Sequence, residues 1–173
     1  MAMRRSRRGF LQWAAEVAAA AAIVPCGTRA APAAEEPAFP ISPLTIETGR
    51  GRFQFMVEIA ETPSTWRQGL QNRRQLAADA GMLFDYHQPR IASMWMKDTL
   101  ISLDMIFIDE RGIVTNVAEN TQPQSLATIS SDGPVLAVLE VNAGTAARIG
   151  LRRGDRVFHA IFMPTSTSQS VPH

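Results

Sequence analysis

Lys97, Asp98 and Asp104 interrupt an otherwise apolar run, MWMKDTLISLDMIF at residues 94–107, and Glu140 interrupts a second one, VLAVLEV at 135–141. A carboxylate removed from water without a partner costs on the order of several kcal/mol, so such residues must be paired or protonated. Arg67, in TPSTWRQGL, and Lys97 are the cations placed to pair with them. One reading is therefore a structural network of ion pairs and caps. The other is a polar cleft in which Arg67, Lys97, Asp98, Thr99, Asp104 and Glu140 meet a ligand. In its catalytic form, Asp104 with Asp98 or Glu140 would be an acid and base pair, one carboxyl raised by apolar surroundings. Trp95 adds a stacking surface beside Lys97 if the two share a strand face, although a core tryptophan with lysine snorkelling past it fits the same spacing.

Other chemistries find little purchase. His87 and His159 are far apart, His173 is near the end, and no H-E-x-x-H or H-x-x-E-H spacing occurs, so no metal site is expected. Met56, Met82, Met94, Met96 and Met105 could bind cuprous copper through thioethers, but methionine serves more often as core filler. No G-x-S-x-G elbow accompanies His87, and no cofactor is implied.

The elements that must position these groups read as mainly β. LTIET and RFQFMVEIA look like strands, the second alternating Phe53, Phe55, Val57 and Ile59 against Gln54, Met56 and Glu58. Thr62-Pro63 starts a short helix, with threonine as cap and proline in the first turn. GMLF, IASMWMKDT and LDMIFID have strand length, and DERG at 109–112 makes a hairpin turn into IVTNVAEN. In LDMIFID, Leu103, Met105 and Phe107 share one face while Asp104, Ile106 and Ile108 share the other. VLAVLEV should be a buried central strand, followed by a short helix capped by Asn142, a stop at Gly150, a turn at Gly154-Asp155 and a last strand. Seven or eight short strands with two short helices predict a small single-domain sandwich or compact barrel-like β fold.

The N-terminal segment carries a different message. Residues 1–33 have a basic front, an alanine-rich middle and small residues at the end, the layout of an export signal. Residues 6–12 read SRRGFLQ, close to the twin-arginine consensus, which predicts export to the periplasm or beyond of a bacterial cell through that machinery. The middle is too short and weakly apolar to span a membrane, and no transmembrane segment is expected in the mature chain. Cys26, the single cysteine, lies within this segment, so the mature chain should lack both disulfide and thiol nucleophile; lipidation at Cys26 fits the preceding Ile-Val-Pro poorly. Removing 33 of 173 residues leaves 12 basic against 15 acidic, a balance of −3 that gives no reason to expect nucleic acid as a partner. The expected layout is signal 1–33, leader 34–43, one domain over 44–162 and a disordered polar tail at 163–173.

VEIAETPSTWRQGLQNR, AGMLFDY, WMKDTLISLDMIFIDERGIV and VLEVNAGTAARIGLRRGDRV together resemble the family known as domain of unknown function 192. The resemblance covers roughly residues 53–157 and implies a sandwich-like, mainly β fold, often exported, with no established activity or cofactor. The family usually has asparagine where Asp98 stands, proline where Ser102 stands and methionine where Gln71 stands. TAARIGLRRGDRVF is also similar to the helix-turn-strand segment of PDZ domains, without their carboxylate-binding loop. Arg67, Trp95, Lys97, Asp98, Thr99, Asp104 and Glu140 are thus the candidate binding residues. The favoured function is an exported accessory domain for a small molecule, glycan or envelope protein, and the alternative is a hydrolase or lyase of envelope polymers.

Overall fold

The computed structural model describes residues 39–163. The export motif, Cys26 and nearly all of the expected tail lie outside them. Seven strands form one sheet: β1 (Ile41–Thr48), β2 (Gly51–Ala60), β3 (Ala80–Met94), β4 (Leu103–Ile108), β5 (Val114–Ala118), β6 (Ile129–Asn142) and β7 (Arg156–Phe158). They lie in the order β5-β4-β6-β3-β2-β1-β7. Every neighbouring pair is antiparallel except β2 and β3, and a parallel pair needs a long crossover. That crossover carries α1 (Pro63–Gln68) and puts it over one face of the sheet.

The mainly β, barrel-like expectation holds, because the sheet curls until its two edges touch. Ile113 bridges Arg156, and the Val157 N–H donates to Gly112 O at 2.8 Å. Gly112 permits this closure twice over. Its φ is +75°, and a Cβ there would sit 2.5 Å from Val157 O. The DERG turn predicted from sequence is thus also the clasp of the barrel.

Strand alternation divides the apolar residues between two cores. Inside the curl, Leu44, Ile46, Phe55, Val57, Leu83, Ile106, Ile108, Leu139 and Val141 pack together with Ile149 and Val157. On the outer face, Met82, Phe84, Leu103, Met105, Phe107 and Val138 are covered by Leu70, Met96 and Trp66 from the crossover and the 95–101 loop. The second core exists because β3, β4 and β6 are apolar on both sides, as read from LDMIFID and VLAVLEV.

Two local expectations change. IASMWMKDT is not all strand, since β3 ends at Met94 and residues 97–98 turn, with Asp98 at φ +56°. Asn142 does not cap the second helix, α2 (Thr145–Ile149), but ends β6 and donates its side-chain amide to Leu76 O and Ala77 O. Gly144 stands at the cap position with no side chain to offer, so the cap comes from elsewhere in the fold. Among the described residues no helix is long and apolar enough to cross a membrane.

Candidate functional site

A cavity of about 290 Å³ opens on the outer face, between α1, the outer stretch of β3 and the 95–99 turn. Its lining includes Trp66, Arg67, Tyr86, Arg90, Trp95, Lys97 and Thr99, with Glu140 at the sheet. Each arrives there for a local reason.

α1 starts as a capping box: Thr62 Oγ1 accepts from the Thr65 N–H, and Thr65 Oγ1 accepts from the Thr62 N–H. The Trp66 indole N–H donates to both Ala60 O at 2.9 Å and Asp85 O at 3.0 Å, pinning the helix to β2 and β3. Arg67 is left exposed at the rim.

β3 was read from sequence as two separate runs of strand length, GMLF and IASMWMKDT. It is one strand of 15 residues bent by a register shift between Asp85 and Arg90. At the bend His87 has φ +60°, its N–H donates to Asp85 Oδ1 at 2.8 Å, and its ring lies between Glu61 O and the Asp85 carboxylate. The bend turns Tyr86 and Arg90 towards the cavity. Tyr86 meets Trp66 edge-on at 5.5 Å and donates to Met94 Sδ, while the Arg90 guanidinium lies 5.1 Å from its ring centre. Burial, helped by Glu140 and opposed by Arg90, pushes the Tyr86 phenol up to about 12.

The 95–99 turn is anchored by Met96, which is fully buried, and by the Asn72 N–H donating to Asp98 O at 2.8 Å. Trp95 stays 53% exposed, and Lys97 Nζ lies 5.8 Å from its ring centre. The core reading of Trp95 is therefore overturned, and the indole is a surface platform with a cation on it. Thr99 is buried in the cavity wall. Asp98 is exposed and outside the lining. Its left-handed backbone is the conformation that asparagine and aspartate enter most readily, which accounts for either residue at that position.

The two buried acids part company here. Register places Asp104 opposite Val141 and Glu140 opposite Met105, so their side chains leave opposite faces of the sheet. Asp104, 0% exposed, accepts from the Asn120 N–H and the Ala146 N–H, both at 2.8 Å. It is the missing cap of α2. Neither Arg67 nor Lys97 pairs with it, and it does not line the cavity. The carboxyl of Glu140, a residue 4% exposed between Met82 and Met105, has no hydrogen bond or ion pair with any described residue and opens into the cavity. Burial pushes its carboxyl up to about 8, so it stands protonated at neutral pH. An acid and base pair of Asp104 with Glu140 is ruled out by the sheet between them, and the hydrolase or lyase built on that pair loses its support.

The cavity thus gathers Arg67, Trp95, Lys97, Thr99 and Glu140 and excludes Asp98 and Asp104. Sequence reasoning missed Trp66, Tyr86 and Arg90 as lining residues. DYHQP looks like a turn, and only the bend of a continuous strand brings Tyr86 and Arg90 to one side of it. Among the described residues no group of three His, Cys, Asp or Glu is arranged to hold a metal ion.

Residues 44–159 match a protein family described as Uncharacterized ACR, the family DUF192. The chain belongs to the DUF192 family. Its fold recurs in a protein from Sinorhizobium meliloti 1021 described provisionally as a transcription regulator, at 43% identity and a TM-score of 0.71 over 73% of this chain and 98% of that one. A protein of unknown function from Novosphingobium aromaticivorans DSM 12444 is 37% identical, with a TM-score of 0.69 over 87% of this chain and all of that one. No curated protein matches the chain. In this DUF192 domain the ion pairs lie elsewhere, joining Arg52 to Glu47, Arg73 to Glu58 and Arg153 to Asp132. Arg67, Arg90 and Lys97 form none with a described acid.

Proposed function

We propose that this domain is a non-catalytic binding module that holds a small molecule in the cavity over Glu140, and that it works outside the cytoplasm. The observation that carries the binding reading is Glu140 itself. The residue is almost wholly buried, its carboxyl has no protein hydrogen-bond partner among the described residues, and its oxygens open into the cavity. What fills the cavity is therefore what can hydrogen-bond them, and folds retain such a group at a cost in stability where function uses it. The lining adds aromatic faces and a few convergent polar groups, the usual make-up of a small-molecule site. It offers one acid and no second carboxyl to act as base, which favours holding over transforming. The export reading rests on SRRGFLQ at residues 6–12.

The Sinorhizobium relative raises a nucleic-acid alternative. Residues 39–163 hold 12 basic and 13 acidic side chains, and three of the cations, Arg67, Arg90 and Lys97, line the cavity. Those features support a small ligand over a phosphate backbone.

The binding reading is tested by a thermal-shift screen of a small-molecule fragment collection, with hits checked on Trp95→Ala and Glu140→Gln variants. Hits that lose their effect in both variants are expected. Hits indifferent to both would move the function off this cavity. For export, Arg7→Lys with Arg8→Lys should strand the protein in the cytoplasm, and continued export would remove the twin-arginine assignment.

A further inference from the structure

The charges and shape of the cavity say more about what enters it. At neutral pH its one acid is uncharged, so Arg67, Arg90 and Lys97 leave a lining balance of +3 with no described counter-charge. Two of the three are arginines, whose planar fork suits carboxylate and phosphate. Two of the three cations also lie on an aromatic ring: Arg90 over Tyr86 and Lys97 over Trp95. The walls therefore present flat faces with positive charge along them. At the sheet the demand is different. Glu140 needs a hydrogen-bonding atom from the ligand, which a hydrocarbon body would not supply. The room is limited as well. About 290 Å³ lies at the low end of small-molecule sites, which suits a ligand the size of one sugar ring.

Resting on the binding reading above, we propose that the ligand is an acidic monosaccharide or a small organic anion of like build. Its carboxylate or phosphate sits among Arg67, Arg90 and Lys97, its ring lies against the aromatic walls, and a hydroxyl meets Glu140. A neutral sugar would leave three cations unanswered, and a cationic one would be repelled. A bare inorganic anion would leave the aromatic walls and Glu140 unused.

A pH dependence follows from the groups that face Glu140. Met82 and Met105 flank it on the sheet, while Tyr86 and Arg90 from β3, Arg67 from α1 and Lys97 from the turn are the titratable or charged groups of the lining. Tyr86, raised to about 12, stays neutral throughout the working range. Ionisation of Glu140 around pH 8 therefore puts one negative charge beside the anion, and affinity should fall as pH rises from 7 to 9.

The test is titration calorimetry on the full protein at pH 6.5 with D-glucose, D-glucuronate, glucose 6-phosphate, D-glucosamine, acetate and inorganic phosphate. The expected result is at least tenfold tighter binding of glucuronate or glucose 6-phosphate than of glucose, acetate or phosphate, with no binding of glucosamine. Which of the two acids leads tells carboxylate from phosphate. Arg67→Ala with Lys97→Ala, both exposed and so harmless to folding, should cost the acidic sugar at least tenfold. Glu140→Gln should flatten the decline between pH 7 and 9. Glucose binding as tightly as glucuronate would overturn the charge assignment, and phosphate binding as tightly as glucose 6-phosphate would overturn the ring. If no sugar binds, the ligand class is overturned. Fragment hits that depend on Trp95 and Glu140 would then still uphold the cavity as a site, and their absence would bring down both readings.

Discussion

Asp104 and Glu140 stand on neighbouring strands, one residue apart in register, and both residues are almost wholly buried. Asp104 faces the inner core and receives two backbone N–H groups, from Asn120 and Ala146. Glu140 faces the outer core and receives none. Burial is the same and donor supply is opposite. The fold uses one carboxylate to hold a helix terminus and a loop to the sheet, and leaves the other facing the cavity with no protein donor among the described residues, where burial favours its uncharged form. The comparison shows that a buried acid in an apolar strand is not by itself a sign of function. What separates the two is whether the surrounding backbone has already answered it.

The sharpest way to break this contrast is at Asp104. Asp104→Ala leaves the buried Ala146 N–H and the part-buried Asn120 N–H without their acceptor and uncaps α2, so a loss of about 3–5 kcal/mol in urea unfolding is expected. Asn should be intermediate, because its amide can accept from one N–H only while its NH2 opposes the other. A loss under 1 kcal/mol would mean that Asp104 is not structural.

Glu140 should behave in the opposite sense, and with pH. Its folded pKa of about 8 lies above the unfolded value near 4.5, so the unfolded chain releases this proton first as pH rises. Its contribution is fully present below about pH 4.5 and is lost progressively up to pH 8, by an amount on the order of 5 kcal/mol at most. Glu140→Gln removes the titration. The variant should match wild type near pH 4.5 and exceed it by about 2–4 kcal/mol at pH 8, as measured by unfolding across that range. A difference that does not change with pH would show that Glu140 is ionised in the fold and already paired.

Much of this contrast was visible in the sequence, and its decisive part was not. Alternation in LDMIFID correctly separated Asp104 from Met105, because side-chain period in a strand is fixed by backbone geometry. The Thr62-Pro63 helix start, the DERG turn and the Gly150 stop were legible for the same local reason. The partners of Asp104 were not. They are main-chain N–H groups 16 and 42 residues away, which carry no side-chain signature and are brought in by tertiary folding. Tyr86 and Arg90 stayed hidden because a bent strand and a turn share the composition DYHQP. Trp95 was weighed towards the core because tryptophan usually is, yet Met96 takes the buried place beside it.

The cavity wall offers a smaller test, since Trp66 is at once wall and fastening. Trp66→Phe keeps an aromatic face but strips the N–H that holds Ala60 O and Asp85 O. A loss of about 1–2 kcal/mol is expected in thermal or urea unfolding. A neutral result would mean that α1 is held by packing alone, and that the wall is more mobile than its hydrogen bonds suggest.

The smallest effect is expected at Lys97, and it bears most directly on the contrast. Lys97 sits in the same apolar run as Asp104, and an ion pair between them was the simplest structural account of both. The fold sends Asp104 inward to backbone donors and leaves Lys97 exposed above Trp95 with no carboxylate partner among the described residues. An exposed cation over an exposed ring contributes about 0.5 kcal/mol, so Lys97→Ala should leave the unfolding free energy within roughly that margin. A loss of 2 kcal/mol or more would return Lys97 to the framework of the fold and take it from the cavity rim. A small change at Lys97 beside a large one at Asp104 would establish that charges a few residues apart in one strand-and-turn segment do unrelated work, one inside the barrel and one at the mouth of a site.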